Sequence, residues 1–162
     1  MSGPMAGVDF DGAYTEKTRG PIGTPFTLGQ RMQDADGNEF VYVQADGTIT
    51  AGDVVIISEA FQADALDTTN SAGAINNAVG VAKGTLTDDQ YGWVQIYGVA
   101  PVINATTGAT ANTKLNSTST AGRVNDDGTG GTETIHGLNL TETAADNTAA
   151  GFLVYPVIDA TA

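Results

Sequence analysis

The sequence contains no cysteine, a single histidine and only six lysine and arginine residues among its 162 positions. Without cysteine there is neither a disulfide scaffold nor a thiolate metal site. A catalytic triad would have to use His136, and no nucleophile motif surrounds it, so a hydrogen-bonded structural imidazole is the better interpretation. Hydrolase elbows, phosphate-binding glycine loops and zinc-binding helices have no counterpart either. We therefore expect no catalytic residue, no metal site, no cofactor and no enzymatic activity.

Basic residues are scarce enough to leave a net charge of −13. Residues 31–162 carry sixteen acids and four bases, a net charge of −12, and residues 1–30 carry the remaining −1. Nucleic-acid binding depends on Lys and Arg, so we expect no nucleic-acid partner. A membrane span needs about eighteen consecutive apolar residues, and no such run occurs. The first residues also lack the basic and apolar regions of a secretory signal, so none is expected.

Strands and turns are favoured by the composition, because Thr fits a pleated surface and Gly supplies turn geometry. The chain has 21 glycines and 23 threonines. The clearest strand is predicted over residues 91–99, where alternation places Tyr91, Trp93 and Tyr97 on one face. The β-branched run at residues 54–57 has no polar alternation and predicts a strand that is covered on both faces.

Turn signals divide the rest of the chain into short strands. Asp46 and Gly47 form a strong hairpin signal between residues 38–45 and the return segment 48–50. Residues 60–78 are less patterned and are predicted to loop outward. About eight to ten short strands at regular turn spacing are typical of a sandwich or a barrel. We predict an all-β domain over residues 30–162, a compact β-sandwich or barrel, jelly-roll-like or related, of short antiparallel strands.

The first 29 residues differ from this body. They contain six glycines, three prolines and only isolated apolar side chains. Such a segment does not hold enough apolar surface to fold alone. Residues 1–29 are therefore predicted to form an extended N-terminal arm that grips another molecule, the alternative being a disordered tail without a partner.

Several motifs of the body, taken in order, resemble the head decoration proteins, or capsid cement proteins, of tailed bacteriophages. The matching stretches are residues 28–43, Ile49 to Val55, Gly80 to Ala82, Tyr91 to Ala100, Thr120 to Gly122 and Phe152 to Pro156. The resemblance implies a small all-β protein, usually trimeric, that is bound outside the shell at threefold positions and reinforces it. It brings no catalytic residues, and it does not extend to the arm. The implied partners are the major capsid protein and two further copies of this chain, on the outer capsid surface of a virion.

This role assigns candidate contacts to the arm. A trimer with three extended arms spans several shell subunits, and linked attachments raise the overall affinity. The candidate capsid contacts are Tyr14, Lys17, Arg19, Ile22 and Phe26. The two basic residues among them are suited to acidic patches of a shell, although ordinary solvated charges are the simpler interpretation.

The aromatic face of the strand at residues 91–99 is the candidate trimer seam, because interface centres favour aromatic residues. Its members are Tyr91, Trp93 and Tyr97. Two alternatives remain open for these residues. They could form core beneath a covering loop, or they could form an exposed platform for sugars in a fibre or tail module that binds host-surface glycan.

Overall fold

The computed structural model of the chain describes residues 8–15, 26–127 and 132–159. These residues form ten strands and no helix, which confirms the all-β prediction. The strands are β1 (Arg31–Gln33), β2 (Glu39–Ala45), β3 (Val54–Ile57), β4 (Gln62–Ala65), β5 (Ile75–Ala82), β6 (Tyr91–Asn104), β7 (Leu115–Ser117), β8 (Val124–Asn125), β9 (Thr134–Leu140) and β10 (Thr148–Asp159). Within the described ranges there is no helix that is long and apolar enough to cross a membrane.

Six strands close into a barrel in the order β2, β4, β3, β5, β10 and β6, and β6 pairs back onto β2. All of these pairings are antiparallel except that of β2 with β4. The β2 and β4 ladder is limited to Gln44 beside Gln62 and Ala45 beside Ala63, because β1 pairs with the other end of β2. Strands β9, β7 and β8 continue the sheet beyond β10.

Strand alternation explains where the core lies. On β2, Val41 and Val43 belong to one buried cluster, whereas Phe40 and Tyr42 belong to an aromatic cluster on the opposite face. Strand β3 is buried on both faces, as residues 54–57 predict, and its side chains alternate between two clusters. The barrel wall is therefore covered on both sides at these strands.

Two expectations about pairing are wrong. Residues 48–50 do not return beside β2, because Ile49 forms an isolated bridge with Leu86 and the amide of Ala45 donates to the carbonyl of Gln90. Residues 60–78 are not simply an outward loop, since they contain β4 and the start of β5. The partner of Ile49 lies far away in the sequence, where a local turn signal carries no information. Strand β4, in contrast, forms a tight hairpin with its neighbour β3, at Ile57 beside Ala63.

Candidate functional site

An aromatic platform covers the outer face of the barrel wall where β2 and β6 pair. It consists of Phe40, Tyr42, Tyr91 and Trp93, all of them buried. Tyr42 lies opposite Trp93 in the ladder, with ring centroids 5.0 Å apart. Period-two alternation places these rings on one face, as the sequence predicts for Tyr91 and Trp93. The platform is large enough to need a cover of its own.

The N-terminal segment, residues 8–15, supplies much of that cover. Phe10 stacks on Phe40 at 4.2 Å between ring centroids and meets Trp93 edge-on at 5.3 Å. Phe26, which precedes β1, also meets Trp93 edge-on, at 5.0 Å. Stacked and edge-on arrangements are the favourable geometries for aromatic pairs. Trp93 is consequently only 1% exposed.

The backbone of the N-terminal segment is attached to the barrel at Tyr14. Tyr14 and Tyr91 exchange two hydrogen bonds, each amide donating to the other's carbonyl at 2.7 Å. An ion pair joins Lys83 to Asp11 at 3.5 Å. At Gly84 the segment passes so close that an added Cβ would lie 2.3 Å from the carbonyl oxygen of Asp11. A glycine on the barrel therefore determines how closely this segment approaches.

Three side chains anchor the N-terminal segment on the aromatic platform. Tyr14 is buried, and Val8 and Phe10 are partly buried. Ordering the backbone of the segment costs conformational free energy, which this burial and the two backbone hydrogen bonds at Tyr14 offset.

The docked arrangement leaves a polar group without compensation. Within the described residues, the indole Nε1 of Trp93 is buried and has no hydrogen-bond partner. A buried donor in that condition costs about 1–3 kcal/mol relative to the same group in water.

Negative charge also accumulates at the edge of the N-terminal segment. A cavity of about 600 Å³ is lined by Asp9 and Asp11 from the segment and by Asp34 and Asp36 from the turn between β1 and β2, with Lys83 as its one cation among the described residues. Of these groups, Asp11 and Lys83 form an ion pair. The edge of the segment is therefore acidic and has an attractive contact with the barrel.

Of the five candidate capsid contacts of the arm, two lie within the described residues. Tyr14 is buried at 8% exposure, and Phe26 lies on the aromatic platform. Lys17, Arg19 and Ile22 lie outside the described residues. Contact between these five residues and a capsid stays a prediction.

Of the three candidate residues of the trimer seam, two are buried and one lies at the surface. Tyr91 and Trp93 are buried within their own chain, the position that the core interpretation gives them, whereas Tyr97 lies at the outer surface and is half-buried. A seam built on the first two would require their cover to move. Only Tyr97 is available to a partner in the described arrangement, and its role in a seam stays a prediction.

Tyr97 belongs to an exposed strip of apolar side chains. It consists of Tyr97 and Val99 on β6 and of Phe152, Val154 and Tyr155 on β10. Tyr97 pairs with Val154 and Val99 pairs with Phe152, so the two strands present one continuous surface. The exposed fractions are 59% for Val99, 50% for Val154, 46% for Tyr155 and 36% for Phe152. A contiguous apolar surface of this kind indicates an interaction site.

A bulge in β10 creates the outer half of this exposed strip. The register between β10 and β9 shifts between Leu153 and Val157, so Val154 and Tyr155 are both exposed although they are neighbours. Tyr155 has a φ of 46°, the left-handed region, which costs a residue with a Cβ about 1–2 kcal/mol. Gly137 on β9 permits the bulge, since an added Cβ would lie 2.6 Å from the carbonyl oxygen of Val154. Sequence alternation alone could not reveal this surface.

Three neighbouring side chains hold the Tyr155 ring in place. The ring stacks on Tyr97 at 5.2 Å, and the Arg31 guanidinium lies 5.9 Å from its centroid. The phenol donates a hydrogen bond to Oε2 of Glu39. That hydrogen bond to a carboxylate raises the pKa of the Tyr155 phenol above 10.0, its ordinary value. A strained residue that is fixed from three sides at the surface is typical of a functional position.

Metal-binding geometry is absent from the described part of the chain, where no three His, Asp or Glu residues lie together as ligands would. His136 is exposed, whereas Leu138 and Leu140 are buried. Alternation alone would place the three side chains on one face, but Gly137, with a φ of 79°, breaks it. His136 therefore lies outside the core.

The fold and its surfaces define a closed β-barrel protein with two aromatic surfaces, one covered by its own chain and one open. No protein-family model matches the chain, and no curated protein matches it significantly. The features of the molecule that bear on function are the aromatic platform, the N-terminal segment and the exposed strip.

Proposed function

We propose that this protein is a structural virion protein that decorates the outer surface of a bacteriophage capsid and stabilises it. It acts as a homotrimer at threefold or quasi-threefold positions, and its N-terminal arm contacts the major capsid protein. The exposed strip is the observation that carries this proposal, because it supplies the interface that an assembly needs. The resemblance of the body to head decoration proteins supplies the choice of partner.

The exposed strip is suited to contact between copies of this chain. With aromatic side chains of roughly 150–250 Å² each, the exposed fractions give roughly 350 Å² of accessible surface per chain. A stable interface takes about 800 Å² from each partner. The strip is therefore the apolar centre of an interface whose polar rim lies around it.

Charge supports self-association at this place. The chain as a whole carries −13, so copies repel one another over most of their surface. Beside the exposed strip, the carboxylate of Glu39 and the guanidinium of Arg31 both lie against Tyr155, and their charges cancel. Copies of an acidic molecule approach most easily where the charge is balanced and the surface is apolar.

The arm extends the reach of such a trimer. Twenty-nine extended residues span at most about 95 Å, enough to cross joints between shell subunits. Three arms on one trimer act together, so each attachment is allowed to be weak. A weak attachment of this kind is consistent with an arm of low apolar content.

Matched substitutions test the trimer. Val154→Asp places a charge in the exposed strip, and Val102→Asp places the same charge at an equally exposed position of β6 outside it. We expect sedimentation analysis to give a trimer for the wild type and for Val102→Asp, and a monomer for Val154→Asp. A wild-type monomer at high concentration, or equal behaviour of both variants, would contradict the proposed interface.

Copy number tests the location. Trimers on every local threefold axis give about one copy per shell subunit, from symmetry alone. Quantitative mass spectrometry of purified particles from the source measures this ratio against the major capsid protein. A few copies per particle would favour a fibre or tail module instead.

A glycan-binding fibre or tail module is the second candidate. The observation in its favour is the stacked pair Tyr97 and Tyr155, exposed beside the carboxylate of Glu39 and the guanidinium of Arg31. Aromatic rings with adjacent donors and acceptors are suited to sugars. Tyr155→Ala separates the two functions, because loss of glycan binding in an intact oligomer supports the module and loss of the oligomer supports the decoration protein.

A further inference from the structure

We propose that the N-terminal segment is a displaceable strap: free protein holds residues 8–15 on its own aromatic platform, and the strap leaves when the arm binds a shell subunit. This inference rests on the proposed function and adds its regulation. Docking of the strap would keep the arm of free protein from binding, and only a shell would release it.

Contact of the strap with the barrel and contact of the strap with a shell exclude each other. Tyr14 is buried, and the ring of Phe10 is engaged by Phe40 and Trp93. A side-chain face that packs on the barrel is not available to a second protein. For these residues to contact a shell, the strap must first leave the aromatic platform.

The strap can detach without breaking a ladder of the barrel. Among the hydrogen bonds of the described residues, its backbone bridge to the barrel is at Tyr14 and Tyr91, and its ion pair joins Asp11, which is exposed, to Lys83, which is partly buried. It adds no strand to the barrel, so its removal leaves every ladder of the barrel intact. A segment of this kind opens locally without global unfolding.

Docking of the strap leaves Trp93 with a buried donor. Its indole N–H has no partner within the described residues, which costs free energy relative to the same group in water. Phe10 of the strap packs edge-on against this ring, so release of the strap uncovers one side of it.

Gly84→Ala is the sharpest perturbation, because the added methyl group meets the backbone of Asp11 and not a side chain that could rotate away. The φ of Gly84 is not in the left-handed region, so alanine is otherwise compatible with this position. Gly73→Ala is the matched control, since nothing lies within 4 Å of the added methyl group there. Because Gly73 has a φ of 72°, alanine strains the backbone there, and Gly73→Ala therefore controls for a general loss of stability.

Trp93 reports the state of the strap directly, because it is the only tryptophan of the chain. We expect Gly84→Ala to shift its emission to longer wavelength and to raise its acrylamide quenching constant several-fold, with no change for Gly73→Ala. Phe10→Ala, which removes a ring from Trp93 without a steric clash, should act in the same direction if Gly84→Ala folds poorly. Unchanged quenching in both variants would overturn the strap.

Binding to purified shells of the source phage tests the regulation. The apparent affinity is lowered by the fraction of molecules whose arm is docked, so Gly84→Ala should bind several-fold more tightly than the wild type. Trp93 of the wild type should become accessible to acrylamide on the shell. Weaker binding of the variant, or a shielded Trp93 in the bound wild type, would overturn the inference. If the wild type binds no shell, the proposed function and this regulation both fail, while quenching in solution still decides whether the strap is displaceable.

Discussion

Two neighbours on β10 test the described register, because Leu153 faces the core and Phe152 faces the exposed strip. Leu153 is fully buried in a cluster with Ile103 and Leu138. Truncation to alanine leaves a cavity that the barrel wall fills only in part, so we expect Leu153→Ala to cost about 3–5 kcal/mol of unfolding free energy. Phe152 is 36% exposed and loses mainly its edge contact with Tyr97, so Phe152→Ala should cost about 1 kcal/mol.

Urea denaturation followed by circular dichroism measures both values. A chain of this length has a total stability of about 8–24 kcal/mol, so both variants should remain folded. If the strip joins copies of the chain, the cost of Phe152→Ala should grow with protein concentration while that of Leu153→Ala does not. Equal costs for the two variants, or a larger cost for Phe152→Ala, would refute the assignment of the two faces.

Two further predictions concern polar contacts at the same end of the barrel. The hydrogen bond to Glu39 raises the pKa of Tyr155, so its contribution to stability is present below pH 10.0 and is lost as the pH rises through the folded-state pKa. Glu39→Gln should lower that pKa in a tyrosinate absorbance titration, and an unchanged titration would contradict the contact. The Asn38 side chain accepts a hydrogen bond from the amide of Val99 at 2.9 Å and donates one to Asp34 at 2.8 Å, so Asn38→Ala should cost about 1–3 kcal/mol in urea denaturation. Asn139→Ala loses one side-chain hydrogen bond, to Asn112, and should cost less; equal losses would argue against the role of Asn38.

Local patterns predicted much of the barrel. The alternation over residues 91–99 and the apolar run at 54–57 both correspond to strands, and 54–57 is buried on both faces as expected. Pairing was harder to predict. Asp46 and Gly47 do turn the chain, but the edge of β2 is already taken by β1 and β4. The choice of partner depends on residues far away in the sequence, and a turn signal does not contain it.

The candidate surfaces were predictable in part. Aromatic alternation identified Tyr91 and Trp93 as a cluster, but no local signal shows that Phe10 packs on them. The exposed strip was missed because the bulge at Tyr155 reverses the alternation of β10. Gly137 is the signal that could have found it, since an isolated glycine in a strand often marks a bulge.

The position of β10 in the barrel has a consequence for how the protein is made. Strand β10 pairs with β5, β6 and β9, and it is the last strand along the described chain. During synthesis, the edges of β5 and β6 that β10 will cover stay unpaired until residues 148–159 have left the ribosome. Unpaired edges of this kind attract other strands, so the nascent chain is most prone to aggregation after β6 has emerged and before β10 covers these edges.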